Sequence, residues 1–179
     1  KHYTMSSITD FFLGSFLTWF PLVIYGVLFL AAAFFYFYRN TLQGTKLWEQ
    51  WITRMRMAKI AIGFRVFYAA FLTFGQYYVW SHDAFGKSFL NSPLGLQVPL
   101  PFIQKLPWLF NTSFGYFVAY SGFRFWLNVL VSIGVAWLFF VFLKFLRRYK
   151  DRFFERGEVE LSFLCALIAG WPLVVFFVP

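Results

Sequence analysis

Long apolar runs separated by short basic or proline-broken segments set the pattern of this chain. Residues 11–38, 58–80, 123–145 and 159–178 are each long enough, at about 18 residues or more, to cross a hydrocarbon core as a helix. The runs are continuous rather than alternating with a period of two, which argues against a membrane β-barrel. The expected fold is therefore all-α: a polytopic integral membrane protein of four transmembrane helices in one transmembrane domain over residues 1–179. A short interfacial amphipathic helix is expected within 39–57, and a long apolar outer loop over 81–113. The first run is longer than a signal-peptide core and has no small-residue cleavage site behind it, so it is read as a retained span.

Helical spacing divides the second span into two faces. At about 100° per residue, Ala58, Ala61, Arg65, Ala69, Thr73 and Gln76 share one side, while Phe64, Phe67, Phe71, Phe74 and Tyr78 occupy the other. Small residues permit close helix approach and polar ones need partners away from lipid, so the first side should face other helices and the aromatic side the acyl chains. In the third span Ser121, Arg124, Asn128 and Ser132 fall at helical spacing opposite Phe123, Trp126, Leu130 and Ile133. The fourth carries Ser162, Ala166 and Gly170 four residues apart, a stripe for close packing against another helix.

The connections add orientation. Residues 39–57 interleave Trp48 and Trp51 with Arg39, Lys46, Arg54 and Arg56, a composition suited to the headgroup level. Residues 81–113 hold Pro93, Pro99, Pro101 and Pro107 among many apolar side chains, too broken for a span and too apolar for a free loop. Asn111-Thr112-Ser113 matches the N-glycosylation acceptor pattern.

The net charge is +9, and 11 of the 16 basic residues lie in or beside two segments: Arg39, Lys46, Arg54, Arg56 and Lys59 in the first, and Lys144, Arg147, Arg148, Lys150, Arg152 and Arg156 in the second. Basic residues grouped beside apolar runs mark cytoplasmic loops. The expected placement is multi-pass in the cell (inner) membrane, with basic loops 39–57 and 146–158 cytoplasmic and both termini outside. The same grouping argues against a nucleic-acid surface.

Catalytic chemistry finds little material. A single cysteine, Cys165, leaves no disulfide framework or four-thiolate metal site, and His2 and His82 lie outside the spans. There is no HExxH, GxSxG, P-loop or dinucleotide fingerprint, and the seven acids sit near span ends. No catalytic residue, metal site or cofactor is assigned. The 29 phenylalanines are read as lipid-facing packing rather than a pigment or quinone site.

The residues that call for an explanation are the arginines. An unpaired charge in lipid costs at least about 2.5 kcal/mol, so each needs a partner at its own depth. Arg65 is expected to pair with Glu160 or Glu158, and Arg124 with Gln76 and either Asp10 or Asp83. As an alternative, Arg65, Arg124, Gln76 and Asn128 would bind an anion or lipid headgroup, since a guanidinium engages phosphate or carboxylate at two points. The best-supported function is a non-catalytic subunit that scaffolds or assembles a larger integral-membrane complex. Its expected partners are the lipid bilayer and other membrane subunits or further copies of itself. An oligomeric anion channel or transporter is the alternative, and a lipid- or isoprenoid-handling membrane protein a third reading.

Overall fold

The computed structural model describes residues 16–42, 44–53, 55–93, 105, 107–149, 154 and 157–170. All regular structure among them is helical. Three helices are long and apolar enough to cross a membrane: Trp19–Phe37, Arg56–His82 and Gly115–Tyr149. The predicted fourth span is described only over its first part, as a 12-residue helix Glu158–Ala169. That length rises about 18 Å, short of a hydrocarbon core about 30 Å thick. Residues 11–15 and 171–178 of the first and fourth predicted spans lie outside the described residues.

In chain order the helices are α1 (Leu17–Phe37), α2 (Arg39–Leu42), α3 (Lys46–Trp48), α4 (Arg56–His82), α5 (Ala84–Leu90), α6 (Pro107–Phe110), α7 (Gly115–Ser121), α8 (Leu127–Tyr149) and α9 (Glu158–Ala169). A π turn, Glu49–Thr53, follows α3, and a second, Gly122–Trp126, joins α7 to α8 without a break. The chain divides into two compact units: Lys1–Gly63 with Gly134–Pro179, and Phe64–Ile133.

In the first unit, α1, the segment after it, the start of α4, and α9 share a core of Ala32, Ile52, Met57, Ala61, Leu161 and Leu164. The alanines let helices approach closely, and packing rather than expulsion of water is what stabilises such contacts between apolar helices in lipid. Where a short amphipathic helix is expected in 39–57, the described residues form two short helical pieces, Arg39–Leu42 and residues 46–53. Gly44 at φ +89° and Met55 at φ 53° take left-handed conformations that interrupt a right-handed helix. Ile52 and the half-buried Trp51 then turn inward onto the helical core.

Along α9, Val159, Leu161, Phe163, Leu164, Ala166 and Leu167 are all buried. Phe163 meets Phe140 with ring centroids 5.0 Å apart, and Lys144 Nζ lies 4.7 Å above that same Phe140 ring. α9 stops at Gly170, whose φ of 65° only glycine adopts without strain and whose N–H donates to the Ala166 carbonyl at 3.0 Å.

The second unit is organised around Trp80 near the end of α4. Its ring lies 5.0 Å from Tyr120, 5.6 Å from Phe117 and 5.7 Å from Phe89, drawing α5 and α7 onto α4. The chain can fold back there because Asp83 caps α5, its Oδ2 accepting the Gly86 N–H at 3.0 Å. Gly86 then rests directly on the Trp80 backbone. The beginning of the expected outer loop is thus a capped helix. Ser92 carries the fold onward by accepting the Tyr116 N–H at 3.2 Å.

Candidate functional site

Along α4 the small side chains form the buried side. Ala61 is 0% exposed and Ala69 2%, with Arg65 half-buried on the helix between them, whereas Phe67, Phe71, Phe74 and Tyr78 are exposed. Thr73, one turn beyond Ala69, returns its hydroxyl proton to the Ala69 carbonyl at 2.8 Å and accepts the Trp126 indole N–H at 3.1 Å. This link joins α4 to the π turn before α8. It satisfies an indole N–H that would otherwise be stranded among apolar groups.

Arg124 lies in that same π turn, Gly122–Trp126, and is exposed, as is Asn128. A π turn holds one residue more than an α turn, so the row expected through Ser121, Arg124, Asn128 and Ser132 is not continuous. Ser121 is buried ahead of the turn, and beyond it the buried row is Val129, Ser132, Ala136, Phe140 and Leu143. Gln76 is half-buried on α4. Asp83 is exposed and engaged as the cap of α5, and Asp10 lies outside the described residues.

The acids of α9 lie in the first unit, whereas Arg65 and Arg124 belong to the second. Glu158 and Glu160 occupy the first turn of α9, where carboxylates suit the positive end of the helix dipole. Glu160 Oε2 is buried and has no hydrogen-bond partner among the described residues. It borders a small void walled by Trp51, Met55, Met57 and Leu164. Of the packing stripe, Ala166 and Gly170 are buried and Ser162 is half-buried.

Ser162 opens onto a cavity of about 440 Å³ between α1 and α9. Ala32, Ala33 and Tyr36 wall it from α1, and Glu158, Ser162 and Cys165 from α9. Its volume falls within the range of small-ligand pockets, and its lining follows their usual character, apolar walls with a few polar groups. The sequence marked Ser162 only as a packing residue. What it missed is that α1 offers alanines opposite Ser162 and Cys165, leaving room where larger residues would have closed the gap.

No protein-family model matches the chain, nor does any curated protein or solved structure. Among the described residues no group of three or more histidines, cysteines and acids is placed to hold a metal ion. The described arrangement offers an apolar cavity with a carboxylate at its edge, a half-buried guanidinium on a small-residue helix face, and extensive exposed apolar surface.

Proposed function

We propose that this chain is a non-catalytic membrane subunit whose spans assemble with other membrane helices, from other subunits or from further copies of itself. The observation that carries this reading is the unfilled side of the long helices. Only 6% of the most apolar stretch of α1 is buried, against 22% in each of the other two candidate spans. Gly26 on α1, Gly63 on α4 and Gly134 on α8 are exposed, and a Cβ built on any of them would meet nothing within 4 Å. Glycine on an outward helix face costs helix stability, about 0.8–1.0 kcal/mol relative to alanine, and a neighbouring backbone that packs into the gap offsets that cost. Leucine at these positions leaves the contacts among the described residues intact, because none of those residues lies there. Gly26→Leu, Gly63→Leu and Gly134→Leu are expected to release co-purifying membrane polypeptides, or dissociate copies of the chain, while helix content stays unchanged. Assembly that survives all three substitutions would contradict the reading.

The proposal includes four crossings in the cell membrane, with the two basic loops cytoplasmic and both termini outside. The basic residues beside the apolar runs support that orientation. A reporter fused after residue 179 should be protected from a membrane-impermeant cytoplasmic label. Labelling from the cytoplasm would reverse the orientation.

A second reading, an oligomeric anion pathway, is favoured by one feature: Arg65 is half-buried on the small-residue side of a helix long enough to span a membrane. Purified protein in liposomes would then conduct anions, and Arg65→Ala would abolish the flux.

A further inference from the structure

The cavity between α1 and α9 has no role in assembly as argued above. We propose that it is a lipid site, taking one acyl chain of a phospholipid whose headgroup carries an ammonium. The chain follows from what the cavity opens onto. Phe29 and Phe37, which help line it, are also exposed, so its mouth lies on the apolar flank of α1. On the flank of a membrane helix, hydrocarbon is the available filling. The cavity's length fits a lipid tail. From Phe37 back to Phe29 is about 12 Å of helix rise, and from Glu158 to Cys165 about 10 Å, most of the depth of one leaflet.

The headgroup follows from charge. Among the described residues the lining contains one charged side chain, Glu158. It lies in the first turn of α9, and Tyr36 in the last turn of α1, both at helix ends, where a membrane helix meets headgroups. A carboxylate offers about four acceptor positions, so Glu158 can receive an ammonium in addition to any bond within the protein. A phosphate or glycerol headgroup brings it no cation. Deeper in, Ala32 and Ala33 leave the width that the chain occupies, and Ser162 and Cys165 are small enough to keep it open.

Cys165 is the only cysteine of the chain and stands on the cavity wall, so alkylation by N-ethylmaleimide reports occupancy at a single place. The experiment uses the full chain in delipidated detergent micelles, titrated with phosphatidylethanolamine or phosphatidylglycerol. At about ten times its half-protecting concentration, phosphatidylethanolamine is expected to slow alkylation about tenfold, because only empty protein reacts. Phosphatidylglycerol should need a several-fold higher mole fraction for the same protection. Glu158→Gln is expected to erase the difference between the two lipids while retaining protection. Ala33→Phe, which fills the cavity, should give slow alkylation that neither lipid changes. Alkylation indifferent to both lipids overturns the site, as does lipid protection that persists in Ala33→Phe. Equal protection of the unaltered chain by both lipids overturns the headgroup assignment.

Discussion

Replacing Gly86 with alanine sets a methyl group where α5 meets α4. An ideal Cβ at that position lies 2.5 Å from Trp80 Cα, 2.6 Å from its carbonyl oxygen and 2.9 Å from its carbonyl carbon. These are backbone atoms of a 27-residue helix, so no side-chain rotation relieves the overlap. α5 must instead lift away, loosening the stack of Trp80 with Phe89 and of Phe89 with Tyr116. Two opposing terms decide the outcome. Alanine gains about 0.8–1.0 kcal/mol over glycine in a helix interior, whereas overpacking costs about 1–3 kcal/mol. The contact here is closer than real Cβ atoms tolerate and falls on backbone, which places it at the upper end of the cost. Gly86→Ala is expected to lose about 1–2 kcal/mol net. Gly75→Ala is the matched control, since a Cβ there meets nothing within 4 Å, and it should be neutral or stabilising by up to about 1 kcal/mol. Reversible denaturant unfolding in micelles, followed by near-ultraviolet circular dichroism, compares the two. If Gly86→Ala proves as stable as Gly75→Ala, the close approach of α5 to Trp80 is refuted.

The Thr73–Trp126 hydrogen bond should show a coupling of about 0.6 kcal/mol, the average for such bonds between membrane helices, in a double-mutant cycle of Thr73→Val and Trp126→Phe. Zero coupling would mean the two side chains do not meet. Asp83→Ala should cost about 1 kcal/mol through loss of the α5 cap, and Asp83→Asn much less; equal losses would point to the charge instead of the cap. Glu160→Met should stabilise the isolated chain by about 1 kcal/mol, because it removes a buried oxygen that has no donor. Destabilisation on thermal unfolding would show that Glu160 is satisfied in the folded protein.

The buried side of α4 was legible because its register runs through unbroken α turns. Six alanine and polar positions at helical spacing are enough to orient such a helix, and burial of Ala61 and Ala69 follows that spacing. The third span was legible as a helix, but its face was not. The π turn at Gly122–Trp126 exchanges Asn128 for Val129 in the buried row, and local sequence does not announce a π turn. Residues 39–57 read as amphipathic, and left-handed Gly44 and Met55 bound a short helical run over 46–53 that presents Ile52 to the core. Met55 carries no sequence signal for that conformation. Asp83 preceding an apolar stretch is a recognisable helix start, and its carboxylate caps α5. The cavity depends on which residues of α1 stand opposite α9, a pairing that helical periodicity within either helix does not encode.

The claim that most needs testing is that this chain completes itself by assembly in the membrane. Native mass spectrometry of particles released from native membranes in a mild detergent measures this directly. Assembly gives a protein mass well above the 21.2 kDa of one chain, falling toward that value in Gly26→Leu, Gly63→Leu and Gly134→Leu. A folded, homogeneous particle of 21.2 kDa from unaltered membranes would contradict it.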